Sequence, residues 1–172
     1  MKKTLGVLVL LGATSTGLAF TLTSFTVTST LTFPSANPNT TPVVTGSAPV
    51  TATIVITNPK REAVTLTVQA NGANLVSGAG DTIAVGNVTW NASSATWVHS
   101  RPPQVQATWN AELGPQALTT APVTVITGDD GQAKSVTDTV TGTVTHDFTF
   151  QNSWLYSTGS YVQTITWTIS VI

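Results

Sequence analysis

Apolar and polar residues alternate along much of this chain with a period of two, which is typical of β-strands that bury one face and expose the other. The pattern is clearest from Tyr161 to Ile172, where apolar residues dominate the odd positions and Thr or Ser fills the even positions from 164 to 170. Helical spacing of apolar residues is rare, and β-branched Thr, Val and Ile dominate. We therefore predict an all-β chain.

Two further segments, 50–57 and 63–70, repeat this alternation on either side of the polar turn 58–62. Their spacing predicts a hairpin that joins the two strands. Another long strand is predicted over 136–150, where the odd positions are mostly Thr. About seven to nine such strands without helices indicate an antiparallel two-sheet sandwich of immunoglobulin-like type, and a jelly roll is the alternative.

The segment 20–33 is strongly β-forming and carries neither a charge nor a Pro or Gly. Its apolar phase changes near Ser24, which predicts a bulge or a break. Edge strands usually carry a charge, a proline or short length to prevent pairing with another molecule. This segment therefore predicts either the first strand of its own sandwich or a strand-exchange segment that adds to a neighbour's sheet through Phe25, Val27, Leu31 and Phe33.

The N-terminus has the three parts of a secretory signal peptide: basic Lys2 and Lys3, an apolar run from Leu5 to Leu11, and the small-residue ending Gly17-Leu18-Ala19. The apolar run is well short of the roughly 20 residues that span a bilayer. We predict a signal peptide over 1–19 and a single β-sandwich domain over 20–172, secreted or held at the cell surface, with no transmembrane segment in the mature chain.

Removal of the signal peptide leaves few charges. Four cations remain against seven carboxylates, a formal charge of 4 − 7 = −3: Lys60, Arg61, Arg101 and Lys134 against Glu62, Asp81, Glu112, Asp129, Asp130, Asp138 and Asp147. The lack of a basic cluster argues against nucleic acid or anionic membrane as a partner. The chain has no cysteine, so thiolate metal sites and thiol catalysis are excluded.

Catalytic groups are scarce. The only histidines are His99 and His146, and the G-x-S-x-G pattern of many serine hydrolases does not occur. His146 and its neighbour Asp147 fall on opposite faces of a strand, which is wrong for a catalytic dyad. We therefore predict a chain that is not an enzyme and that holds no cofactor.

The acidic residues give one candidate calcium site, formed by Asp129 and Asp130 with Asp81 or Asp147. The calcium-loop spacing D-x-D-x-D-G is missing, so we interpret Asp129-Asp130-Gly131 as a solvated turn and predict no metal site. Asp138 and His146 share the apolar parity of the predicted strand. Buried Asp is rare, so we expect that face to overhang the core at one end or to change at a bulge near Gly142.

Five tryptophans allow a sugar-binding platform. Trp90, Trp109 and Trp167 share strand parity with apolar residues and are predicted to lie in the core. Trp97 and Trp154 lie near turns. Together with Tyr156, they are the candidates for aromatic residues that face a ligand.

Two resemblances involve most of the mature chain. The first rests on Leu31-Thr32-Phe33, Asn37-Pro38, a strand ending at Asn58, and Val64-Thr65-Leu66-Thr67-Val68, which resembles the opening of secreted bacterial immunoglobulin-like domains, with Asn39 where glycine is usual. The second rests on Gly159-Ser160-Tyr161 and Thr166-Trp167-Thr168-Ile169, which looks like the closing strand of WxL cell-wall-binding domains. Ile169 replaces that motif's leucine, and no upstream Trp-x-Leu occurs.

These observations favour a non-enzymatic structural protein of the cell surface or extracellular matrix, in which copies of the chain assemble into a fibre by strand addition. One alternative is a module that binds cell-wall polysaccharide or peptidoglycan, which the tryptophans and the WxL resemblance imply. The other is an unrecognised secreted enzyme. The expected partners are thus other copies of the chain or a cell-envelope polymer.

Overall fold

The computed structural model describes residues 21–28, 31–47, 49–112 and 114–172, so the predicted signal peptide lies outside the described residues. The described part of the chain has no α-helix and is built from strands. The strands are β1 (Thr21–Thr28), β2 (Leu31–Phe33), β3 (Val43–Thr45), β4 (Val50–Thr57), β5 (Ala63–Ala70), β6 (Asn74–Ser77), β7 (Thr82–Ala84), β8 (Val88–His99), β9 (Thr108–Ala111), β10 (Gln116–Ala117), β11 (Val123–Asp129), β12 (Thr139–Gln151), β13 (Tyr161–Gln163) and β14 (Ile165–Val171).

The strands form three antiparallel sheets. The large sheet has the order β1-β4-β12-β8-β10, and β3 also pairs with β12. The second sheet has the order β14-β5-β11-β9, and the small sheet has the order β2-β13-β6-β7. β5 leads into β6 and β13 into β14 across short breaks, so the small sheet extends the second sheet at one end. The prediction of an all-β sandwich of antiparallel sheets is confirmed.

The core lies between the large sheet and the other two sheets. Each of the long strands β4, β5 and β12 buries every second residue, as the alternation in the sequence predicts. Rings meet across the gap: His146 of the large sheet lies 4.7 Å from Trp167 of the second sheet, measured between ring centroids. Phe150 of the large sheet lies 5.0 Å from Phe33 of the small sheet.

The hairpin predicted between residues 50–57 and 63–70 is wrong. β4 pairs with β1 and β12 in the large sheet, whereas β5 pairs with β11 and β14 in the second sheet. The connection crosses the sandwich through a corner, in which Asn58 and Arg61 have positive φ angles of 57° and 66°. The corner is bonded to other segments, since Asn58 N donates to the carbonyl oxygen of Asp138 and Arg61 N to that of Gly131.

The irregularity predicted near Ser24 is confirmed as a bulge. The register of β1 against β4 shifts between Leu22 and Ser24. The predicted strand region 20–33 contributes to two sheets, because β1 is the edge strand of the large sheet while β2 belongs to the small sheet. Within the described ranges, no helix is long and apolar enough to cross a membrane.

Candidate functional site

A groove opens at the end of the sandwich where the connection before β3 meets the connection between β12 and β13. Its volume is 290 Å³. No charged residue is among those that line it: Pro34, Ser35, Ala36, Asn37, Pro38, Val44, Phe150, Asn152, Trp154, Tyr156, Ser157, Thr158, Gly159 and Tyr161. An uncharged wall that combines aromatic rings with amides and hydroxyls suits a neutral polar ligand.

Asn152 ties the two sides of the groove together. Its side-chain Nδ2 donates to the carbonyl oxygens of Ala36 and Thr41, each at 3.1 Å. Its backbone N–H donates to the carbonyl oxygen of Pro42 at 2.8 Å. The sequence gives no signal for this residue, because its partners lie more than a hundred positions away along the chain.

Trp154 and Tyr156 both line this groove, so the structure brings together two of the three candidate aromatic residues. The Trp154 side chain is 68% exposed, and its Nε1–H donates to Oδ1 of Asn39 at 3.3 Å. The Tyr156 hydroxyl accepts a 3.2 Å hydrogen bond from Nδ2 of Asn87. Both rings are therefore held by a side-chain amide, which orients them at the mouth of the groove.

Trp97, the third candidate, lies elsewhere. It projects from β8 between the two sheets and packs on Trp109 of β9, with ring centroids 4.2 Å apart and an interplanar angle of 34°. Its register partner is Gly142 of β12, which has no side chain and so leaves space for the ring. Trp97 thus closes one side of the core and takes no part in the groove.

The four candidate strand-exchange residues fall into two groups. Phe25 and Val27 lie in β1, the edge strand of the large sheet, where their side chains are half-buried against the core. Leu31 and Phe33 lie in β2 and are 2% and 0% exposed. Exchange of β1 would therefore leave the core largely intact, whereas exchange of β2 would remove two of its buried residues.

His146 is fully buried, so the expectation that its end of the strand overhangs the core is wrong. Its ring lies between Trp90 and Trp167, at centroid distances of 5.3 and 4.7 Å. Among the described residues, neither ring nitrogen has a hydrogen-bond partner. Burial lowers the pKa of His146 to about 4, so the ring is neutral at pH 7.

The bulge expected near Gly142 occurs instead in β8. The register of β12 against β8 shifts between Thr145 and His146, where Ser93 is the extra residue. Asp138 is 5% exposed and lies just before β12, where its Oδ2 accepts hydrogen bonds from the backbone N–H groups of Lys134 and Ser135. Arg101 approaches its other oxygen at 3.8 Å.

Asp130 is also fully buried, so the interpretation of 129–131 as a solvated turn is wrong for this residue. Its carboxylate accepts hydrogen bonds from the backbone N–H of Glu62 at 2.8 Å and of Lys60 at 3.4 Å, and so holds the corner between β4 and β5. Burial raises its pKa to about 6; the hydrogen bonds from Glu62 and Lys60 lower the pKa, and the charge of Asp129 raises it. No cluster of three potential metal-ligating His, Cys, Asp or Glu side chains occurs among the described residues.

Asp130 and His146 should oppose each other in the pH dependence of stability. The raised pKa of Asp130 contributes stability below its ordinary pKa of 3.8, which is lost as the pH rises through about 6. The lowered pKa of His146 contributes stability above 6.5, which is lost as the pH falls towards about 4. Between pH 4 and 6 the two contributions change in opposite directions.

We therefore expect Asp130→Asn to make the free energy of unfolding rise more steeply with pH in this window, by close to one proton, or ~1.4 kcal/mol per pH unit. His146→Phe should give a change of slope of the opposite sign. Urea unfolding of both variants and the parent chain at several pH values measures the slopes. Equal slopes in all three proteins would contradict the assignment of these two pKa values.

We compared the chain with protein-family models, with curated proteins and with solved structures, and none of the three comparisons found a match. The resemblances to immunoglobulin-like and WxL domains therefore stay predictions.

Proposed function

We propose that this chain is a non-enzymatic structural protein of the cell surface or extracellular matrix, whose subunits join into a fibre or matrix by strand addition. The observation that carries the proposal is that β1 is an unprotected edge strand. This strand forms one edge of the large sheet and pairs only with β4 among the described strands. No residue between Thr21 and Thr28 is charged or is a proline.

An unprotected edge of this kind favours addition of a further strand. Its unpaired backbone groups can form a ladder with another chain, which natural proteins usually prevent with charge, proline or a bulge. β1 has only the bulge near Ser24, and the strand is regular beyond it. Leu22, Phe25 and Val27 keep part of their apolar surface exposed, so a neighbouring chain at this edge would bury more of it.

The proposal confines strand addition to β1. Leu31 and Phe33 are fully enclosed by their own chain, and displacing them would cost the core several kcal/mol. The remaining parts of the proposal rest on the sequence: a secreted address from residues 1–19 and an immunoglobulin-like type for the sandwich. The non-enzymatic part is supported by both histidines, since His146 is enclosed by tryptophans and Nε2 of His99 accepts a hydrogen bond from Ala107 N.

A second candidate function, binding of cell-wall polysaccharide, is favoured by the groove. Trp154 offers an exposed aromatic face on which a pyranose ring can stack, while Asn and Ser side chains of the lining can hydrogen-bond to sugar hydroxyls. The absence of charged residues from this lining fits a neutral sugar better than an anionic polymer.

One experiment with two arms separates these functions. Negative-stain imaging of the native surface, with size-exclusion chromatography of the purified protein, should show polymers. Val27→Lys should abolish them while the subunit stays folded, because the lysine can reach water only while the edge is open. Thr127→Lys adds the same charge on the exposed face of β11, which is paired on both sides, and should leave the polymers intact.

The second arm is a pull-down on purified cell walls. Binding that Trp154→Ala removes and Val27→Lys preserves, from a protein that stays monomeric, would replace the structural proposal with the polysaccharide-binding one. Polymers that survive Val27→Lys would contradict the role of β1.

A further inference from the structure

The large sheet has a second open edge, on the side opposite β1. There β10 pairs with β8 at Thr89 and Trp90, and Leu118 N donates to the carbonyl oxygen of Val88. Beyond these positions, from Asn91 to His99, the described residues supply no backbone partner on the outer side of β8. The same sheet therefore presents unpaired backbone groups at both of its ends.

The strand directions make these two edges complementary. β1, β4, β12 and β8 are successive antiparallel neighbours. In a row of four such strands the first and the last run in opposite directions. A second copy displaced sideways along the sheet, without inversion, therefore presents its β8 antiparallel to β1 of the first copy, with both cores on the same side of the joined sheet.

The hydrogen-bonding phase of the two edges also matches. One row of core-facing residues crosses the four strands through Phe25, Ile54, Gly142 and Trp97. The neighbouring row of core-facing residues, two positions along each strand, crosses through Val27, Ala52, Val144 and Ala95. Hydrogen-bonded and non-hydrogen-bonded pairs alternate from strand to strand along such a row. The backbone N–H and C=O groups of Phe25 and Trp97 therefore point either both away from the sheet or both into it. In either case the two residues can lie opposite each other across a junction of two copies, as a hydrogen-bonded or a non-hydrogen-bonded pair.

The bulges delimit the same junction. The bulge in β1 lies at Thr23 and the bulge in β8 at Ser93. With Phe25 opposite Trp97 of a second copy, the regular segment Ser24–Thr28 pairs with the regular segment Ser94–Val98, and each bulge falls just outside it. Neither segment contains a charged residue, so no charge is desolvated by the pairing.

The side chains at this junction have surface left to bury. On the inner face, Phe25, Val27, Ala95 and Trp97 are all only half-buried in the single chain. On the outer face, Val98 is 60% exposed. Cross-strand pairs of aromatic and β-branched residues stabilise antiparallel sheets.

The geometry points to a specific partner and contact: β1 of one copy pairs antiparallel with β8 of a second copy, with Ser24 opposite Val98. Because the two edges differ, the contact is head-to-tail and does not close, so it propagates the large sheet from copy to copy into a fibre. This inference rests on the proposed assembly by strand addition and identifies the acceptor edge for β1.

Disulfide trapping tests the contact, because the chain has no cysteine of its own. Directly opposed residues in an antiparallel pair have Cα atoms about 4.5–5.5 Å apart, within the range of a disulfide. Ser24 and Val98 are both exposed on the outer face. Under mild oxidation, the full chain with Ser24→Cys and Val98→Cys should give a ladder of covalent multimers on a non-reducing gel.

Two matched samples complete the design. An equal mixture of the two single variants, Ser24→Cys and Val98→Cys, should give one mixed dimer and no ladder. A chain with Ser24→Cys and Thr127→Cys places the second cysteine on the exposed face of β11, outside the proposed contact, and should give no ladder.

The outcomes separate this inference from the proposed function. Polymers seen by imaging without a bond between positions 24 and 98 would overturn the β1–β8 contact and leave assembly by strand addition standing. A protein that stays monomeric and forms no bond would overturn both. Equal cross-linking at positions 98 and 127 would reveal random collisions and would also overturn the contact.

Discussion

Replacing Gly142 with alanine should destabilise the protein by about 3 kcal/mol, although the same change in an open strand is usually favourable. An added Cβ would overlap the six-membered ring of Trp97 and lie 2.6 Å from Cη2 of Trp109. Neither ring can move aside easily, because the two tryptophans pack on each other between the sheets. Chemical denaturation of Gly142→Ala and the parent chain measures the effect.

The control for this prediction is Gly86→Ala. An added Cβ at Gly86 meets no atom within 4 Å, so the substitution should change the free energy of unfolding by less than about 1 kcal/mol. The cause is tested by a double-mutant cycle: in a Trp97→Ala background, Gly142→Ala should cost much less than it does alone. Additive costs would show that the ring of Trp97 is not what the alanine meets.

The contact between Trp97 and Gly142 shows how far the sequence predicts this fold. Alternation identifies which residues of a strand face inward, and it is correct for β4, β5, β12 and Trp90. For Trp97 the inward face depends on the bulge at Ser93, which shifts the parity of β8 halfway along the strand. Two Ser residues at 93 and 94 give no sign of where the extra residue lies, and the position of Trp97 near a turn favours an exposed ring.

The assignment of strands to sheets could not be predicted either. β4 and β5 both bury every second residue, and this pattern is the same whether the strands pair with each other or lie in different layers. The corner between them is held by the buried carboxylate of Asp130, which lies about 70 positions away along the chain. The groove has the same origin, since Asn39 and Asn152 join segments that are far apart along the chain.

His146 illustrates a different limit. Its position on the apolar parity of β12 indicates burial, but Asp138 shares this parity and buried Asp is rare, which favours an exposed strand end or a bulge near Gly142. In the structure the ring is enclosed by the faces and edges of Trp90 and Trp167, and burial keeps it neutral. Aromatic packing of this kind comes from three strands and leaves no local pattern in the sequence.

Replacing Trp167 with alanine should cost about 3–5 kcal/mol, the usual range for a large aromatic side chain truncated in a core. Trp167 is 7% exposed and is the residue of the second sheet whose ring packs on His146. Thr166→Ala is the matched control on the opposite face of β14, where the hydroxyl donates to Oδ1 of Asn71, and it should cost about 1 kcal/mol or less. Equal costs from the two variants would mean that the inner face of β14 is wrongly assigned.

A second measurement separates the loss of packing from a general loosening of the fold. The cavity left by Trp167→Ala would adjoin His146, and water entering it would reduce the burial that lowers the pKa of this histidine. The pKa of His146, followed by its ring proton resonances, should therefore rise from about 4 towards 6.5 in Trp167→Ala and stay unchanged in Thr166→Ala. An unchanged pKa in Trp167→Ala would show that the ring of Trp167 does not shield His146 from water.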